Sequence, residues 1–447
     1  MRDIAVLVLV GVLLVLALRR VFSAYALWMW MGLIALQDYV YGFMGGVPYV
    51  MIFALVTLVK IPFSSRQGES SPSLGNATSV LMVIFLVHLL ISQTVASHSY
   101  NRAWQIWQDL AKSVLLCLIM PAIVTTRLRL NVLLMILAAG VAFHGVVDGL
   151  KFLASGGSHI ARGVAKHGDN NHYALLLAMV LPLLLYASRQ AAERWVQWAW
   201  LAALVLSTLA VVSTRSRGAA ISLGVIAIFL VVLSKRRVAL GFMVLVIGAA
   251  VGFLAPDEWF SRIRTVEAAQ EDLSFLGRVV AWKRSTAVAR DNPIFGGGIY
   301  AIQTPEVHEQ YRDDQGLLGF IDTPYIEVPK AAHSIYFQVL GDAGFLGAAI
   351  YLTVIAHALF LGYRTRLRSA DLGQEGVWLQ AASTALIVSL VCFCVGGAAL
   401  SLAYYELPFV IMMLLQILYL QGARMKSSGQ SSASPWQASQ TLRRDLS

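Results

Sequence analysis

The chain has 447 residues, of which 58% are hydrophobic and only 13% charged, with a mean hydropathy of +0.69 and a formal net charge of +10. Soluble globular chains carry about 25% charged residues, so the composition excludes a soluble enzyme with a hydrated surface, a disordered chain and a fibrous one. The basic residues sit mostly in short loops between apolar runs, where they set topology, so the positive charge does not point to nucleic acid.

A helix needs about 20 apolar residues to cross a bilayer. In chain order, apolar runs occur near 4–18, 21–36, 47–62, 78–97, 107–126, 130–153, 172–188, 194–213, 218–234 and 238–255, then near 334–362, 377–399 and 403–421. The first two are short, so the expectation is an all-α polytopic membrane protein with about 12–13 transmembrane helices. Barrel strands alternate, and these runs do not. The chain divides into about ten N-terminal helices (1–255), one large loop (256–332), C-terminal helices (333–421) and a disordered tail (422–447). The loop holds half of the acidic residues and reads as the one extramembrane subdomain. Its stretch 279–290 reads as an amphipathic helix lying on the membrane surface, with Lys283 and Arg284 solvated.

Basic residues fix the orientation. Arg19, Arg20, Lys60, Arg66, Arg127, Arg129, Arg189, Arg194, Lys235, Arg236, Arg237, Arg364, Arg366 and Arg368 fall in alternate loops, which can all be cytoplasmic together. The 256–332 loop then lies outside. Cys117, Cys392 and Cys394 lie inside apolar runs and imply no disulfide framework. The nine histidines are scattered without metal-ligand spacing, so no metal and no cofactor is predicted.

Candidate chemistry lies at four outer positions. Arg162 through His172 (RGVAKHGDNNH) precedes an apolar helix, and its Asp169 or Asn170 can cap that helix. Ser213-Thr214-Arg215-Ser216-Arg217-Gly218 places Arg215 and Arg217 in an outer turn, where positive charge has no topological reason to be. Arg217 opens a helix whose free N–H groups suit phosphate; arginines snorkelling to the interface are the bland alternative. Arg278 and Trp282 share a helix face, and Gly296-Gly297-Gly298 ends that stretch without the Gly-Lys-Ser/Thr of a phosphate loop. His333, with Ser334, stands where the loop re-enters the membrane. There it can act as a base or simply cap a helix. Gly341, Gly344 and Gly347 suggest close helix contact. Asp148 and Lys151 read as an intramembrane pair.

Taken in order, these pieces resemble the bacterial O-antigen ligases and polymerases. Thr214-Arg215-Ser216-Arg217-Gly218-Ala219 resembles their Ser-Arg-Gly-Ala turn. Gly277-Arg278 through Trp282, with Asn292-Pro293-Ile294-Phe295-Gly296-Gly297-Gly298, resembles their loop pattern. Ala332-His333-Ser334 with Gly341, Gly344 and Gly347 resembles their His-Ser…Gly-x-x-Gly signature, and Gly168-Asp169-Asn170-Asn171 also fits. The likeness spans roughly 160–350 and is nearest to the exosortase A-associated O-glycosylation ligases. Arg215 departs from the often neutral residue of the family turn.

The resemblance implies a GT-C-type glycosyltransferase. It would take a glycan from undecaprenyl diphosphate at the periplasmic face and pass it to lipid A-core without metal, with inversion. Arg217, Arg215 and Arg278, with Arg162 in support, would hold the diphosphate, and His333 would serve as base. A polymerase, ligation to a protein or exopolysaccharide, and a flippase of lipid-linked glycans are the competing functions. The absence of an internal repeat and the placing of the charges at one face favour the enzyme.

Overall fold

The computed structural model describes residues 2–40, 42–64, 75–163, 169–233 and 270–431. Among these residues the structure is helix and connecting turns, with no strand. Its helices are α1 (Arg2–Arg19), α2 (Val21–Ile34), α3 (Tyr49–Ser64), α4 (Ala77–Val95), α5 (Ala103–Ile123), α6 (Arg127–Ala154), α7 (Asn170–Gln190) and α8 (Arg194–Ser213). They continue with α9 (Arg217–Leu233), α10 (Gln270–Asp291), the short α11 (Pro305–Gln310), α12 (Ile335–Ser369), α13 (Gly373–Gly397) and α14 (Glu406–Ser431).

Twelve of the thirteen apolar runs are helices; the run at 238–255 lies outside the described residues. Eight helices among the described residues, α4 to α8 and α12 to α14, are long and apolar enough to cross a membrane, while α2, α3 and α9 are shorter apolar helices. Only helices and closed barrels hide backbone polar groups in lipid, and the chain is an all-α polytopic membrane protein. Helix α14 runs through Ser431, into the stretch expected as tail, and residues 432–447 lie outside the described part.

Helix α7 is the central post. It is the most buried of the eight and packs against α6, α8, α9 and α13. At the rim, α1 turns Ile4, Val8, Val12 and Val15 outward, as lipid-facing residues would be. Close approach in lipid depends on small residues, because apolar burial supplies little drive between helices there. At Gly149 of α6, a Cβ would lie 2.2 Å from the Leu206 carbonyl oxygen of α8. Buried polar groups tie distant spans together. Asn131 Oδ1 accepts from Tyr186 OH (2.5 Å) and Trp378 Nε1 (2.7 Å), joining α6, α7 and α13. At the same end, Arg127 pairs with Glu375 at 2.7 Å and lies over the Trp378 ring.

The extramembrane stretch corrects one expectation. Helix α10 exists, but it is buried nearly all round rather than laid on a surface, with Val279 through Ala281 and Lys283 through Ala289 all buried. It packs on α12 and on the turn at Gly316–Leu318. The reason is a second apolar cluster, in which Ala281, Ala287, Val288, Ile302, Val307, Tyr311 and Ala332 close around it. Lys283 and Arg284, expected in solvent, are 3% and 2% exposed.

The glycine triplet locks this stretch to the bundle through main-chain atoms. Gly297 N donates to Gly341 O and Gly298 N to Asp342 O, each at 2.9 Å, and Phe345 N donates to Pro293 O at 2.8 Å. α12 is kinked there, with Gly344 at φ 69°, ψ −174°, and a Cβ at Gly344 would meet Pro293 O at 2.6 Å. Helix α4 adds a third wall: Ser92 Oγ donates to Asp342 O at 2.6 Å, and His88 Nε2 meets Ala343 O at 2.9 Å.

Candidate active site

Five chain segments meet at one end of the bundle, and four carry the residues singled out in the sequence. The turn after α6 is tied to the end of α8 by Ala161 N donating to Ser213 O (3.3 Å), which sets Arg162 beside the Thr214–Arg215 turn. Asn170 Nδ2 donates to Thr214 O (2.9 Å), bringing the start of α7 to the same turn. Asp169 caps α7 as expected, its Oδ1 accepting from Asn171 N and His172 N, both at 2.9 Å. Those bonds have a visible effect: burial alone would raise the Asp169 carboxyl, but the backbone N–H of His172 and its neighbours bring it below the usual carboxylate range.

In the arginine turn, Arg215 is exposed and adopts φ 54°. Arg217 opens α9, so its backbone stands at a helix N-terminus; its side chain lies outside the described part. Arg162 is exposed.

Arg278 and Trp282 do share a face of α10, and that face looks at the segment before α12. Trp282 Nε1 donates to Ala332 O at 2.7 Å, and its ring stacks on Phe337 at 4.8 Å. The next residue is His333, half-buried at φ 44°, whose N–H donates to Ser401 Oγ at 2.9 Å. A left-handed conformation at a non-glycine residue is unfavourable and collects at functional sites. Arg215 and His333 are two of the four described non-glycine residues with positive φ. The capping alternative for His333 fails here, because the residue that precedes α12 is Ser334 and it makes no side-chain cap.

The electrostatics join the segments. Burial pushes the His333 imidazole below the usual histidine pKa. The Arg278 charge adds to this, Asp169 opposes it, and His172 and Lys330 lower it further. A neutral imidazole at neutral pH is the form that accepts a proton. Sequence reasoning missed two of these neighbours. Asp169 announces itself only as a cap, and Ser401 sits in a short uncharged turn; neither has a local signal, because both reach His333 through folding. Asp148 does pair with Lys151 (3.3 Å) and also accepts from Tyr173 OH at 2.9 Å, with His159 Nε2 at 3.1 Å. A cavity of about 380 Å³ between the end of α4 and residues 291–297 holds none of the predicted site residues.

A helical bundle of membrane-spanning length, with a cationic turn and a half-buried histidine at one end, defines a polytopic membrane protein with a polar site at a bundle face. Residues 202–352 match the family model described as O-Antigen ligase, and residues 1–192 match a family of unknown function. No curated protein matches the chain. The region similar to the O-antigen ligases carries Arg215, Arg217, Arg278 and His333.

Proposed function

We propose that this protein is a GT-C-type glycosyltransferase of the bacterial inner membrane that moves a glycan from undecaprenyl diphosphate to the lipid A-core oligosaccharide at the periplasmic face. The observation that carries the proposal is the electrostatic meeting of His333, Arg278 and Asp169 beside the Arg215–Arg217 turn. The family match supports a ligase-type reaction with a lipid-linked donor and a membrane-associated acceptor.

In this reaction the acceptor hydroxyl oxygen attacks the anomeric carbon of the donor glycan. The carbon–oxygen bond to the diphosphate breaks, and the diphosphate leaves with the electron pair. Negative charge grows on the leaving group, and fixed cations lower the barrier by matching it. Arg217 and Arg215, at the start of α9, and Arg278, from α10, supply those cations, with Arg162 in support. This lets the reaction run without a metal. His333 accepts the hydroxyl proton as the new bond forms. Attack opposite the leaving group inverts the anomeric carbon.

The test is transfer by the purified protein from undecaprenyl diphosphate-linked glycan to lipid A-core, in chelator, beside His333→Ala and Arg217→Ala. Transfer that both substitutions abolish, with the fold retained, is the expected result. Growth of the glycan on its carrier instead would make the protein a polymerase. A donor that crosses the bilayer unbroken would make it a flippase.

A further inference from the structure

Lys283 and Arg284 are buried, and among the described residues neither is held in an ion pair. Lys283 Nζ donates only to neutral oxygens, Gln315 Oε1 and Thr323 Oγ1 (2.9 Å to the latter). Arg284 Nη2 donates to Ile326 O at 3.3 Å, while its Nε and Nη1 find no acceptor among the described residues. Two nearby carboxylates are engaged elsewhere, Asp314 with Arg290 at 2.7 Å and Glu309 with Arg312 at 3.0 Å, and a third, the exposed Asp313, attracts Arg284 without forming an ion pair with it. A buried cation is costly unless paired. Burial depresses the Arg284 guanidinium, and the charge of Arg284, after burial itself, depresses His308.

These cations line a pocket of about 260 Å³ with Arg312, Gln315, Thr323 and Tyr325, and with Asp313 and Asp314, which leave the three cations in excess; the Arg312 guanidinium lies 5.8 Å over the Tyr325 ring. At about 100° per residue, Lys283 and Arg284 point away from Arg278 around α10. The pocket therefore stands on the far side of that helix from His333.

We infer that this pocket is an anion subsite that takes a carboxylate or phosphate group borne on a sugar of the glycan substrate. The ammonium and guanidinium meet the anion, Gln315 and Thr323 meet hydroxyls, and Tyr325 offers a ring face to the sugar. The inference rests on the ligase reading only for calling the sugar a substrate. Binding requires no transfer, so the two ideas fail separately.

The experiment uses the full chain in nanodiscs, titrated with a glucuronate-containing disaccharide, its neutral methyl ester, and glucose 6-phosphate. A charge-assisted contact predicts an acid or phosphate preference of about tenfold over the ester. Hydrogen exchange should slow in residues 312–326, and Arg284→Gln and Lys283→Gln should remove the preference. Should the variants fail to fold, exchange on the unmodified chain still decides. Equal affinity for all three probes, or protection that spares 312–326, overturns the inference. Transfer assays then locate the sugar: with an anionic residue placed in donor alone or acceptor alone, Arg284→Gln raises KM for whichever carries it. A rise with neither also overturns the inference.

Discussion

At His333 the opposing charges can be separated by substitution. Asp169 raises its pKa and Arg278 lowers it. The protonated imidazole cannot accept a proton, so transfer should fall at acid pH, along a limb lying below the usual histidine value of 6.5. Arg278→Gln should move that limb to higher pH, besides slowing the reaction. Asp169→Asn should move it to lower pH while leaving the melting temperature nearly unchanged, since asparagine caps helices as well as aspartate. A limb that ignores both substitutions would show that another group titrates. A residue-type signal, one histidine and several arginines where topology gives no reason for charge, made the cationic side of this site legible in the sequence. Asp169 looked complete as a cap, and only the fold shows its second effect.

Among the elements, the kinked contact between residues 293–298 and α12 decides how the loop is seated. A methyl group at position 344 would meet both the Pro293 and Asn292 carbonyl oxygens and would hold a strained backbone. Gly344→Ala should therefore cost about 1–3 kcal/mol, seen as a lower melting temperature and as new protease cleavage near 292–300. The spacing of Gly341, Gly344 and Gly347 pointed to close helix contact, and contact is what those residues make. Their partners, Ser285 of α10 for Gly341, the Asn292 and Pro293 carbonyls for Gly344 and His88 of α4 for Gly347, lie far off in sequence and leave no local signal. Helix α10 misled for the opposite reason. A helix carrying Lys283 and Arg284 looks solvated until its covering segment, 312–332, is folded over it.

For the whole molecule, the positive residues predict orientation. The turn holding Glu193 lies between Arg189 and Arg194, and the turn holding Ser158 follows α6 on the site face. Both residues are exposed. With an impermeant maleimide on intact cells, stripped of their outer membrane, Ser158→Cys should be labelled and Glu193→Cys should react only after lysis. The opposite pattern would put the site in the cytoplasm and end the periplasmic reading. The native cysteines are buried or half-buried and give little background. Spans were the most legible layer of this chain, since a bilayer demands long apolar runs and leaves few alternatives. Which spans touch was not legible, because lipid and neighbouring helices reward the same apolar surface.

The backbone at Arg215 and His333 carries a consequence for any attempt to harden this protein. Glycine at either position would relax a left-handed turn and would be favoured by a screen that scores heat resistance alone. Such a screen would strip out a cation and the proposed base while reporting improvement. Two of the four residues that stability selection would target on backbone grounds are among those that the proposed chemistry cannot spare.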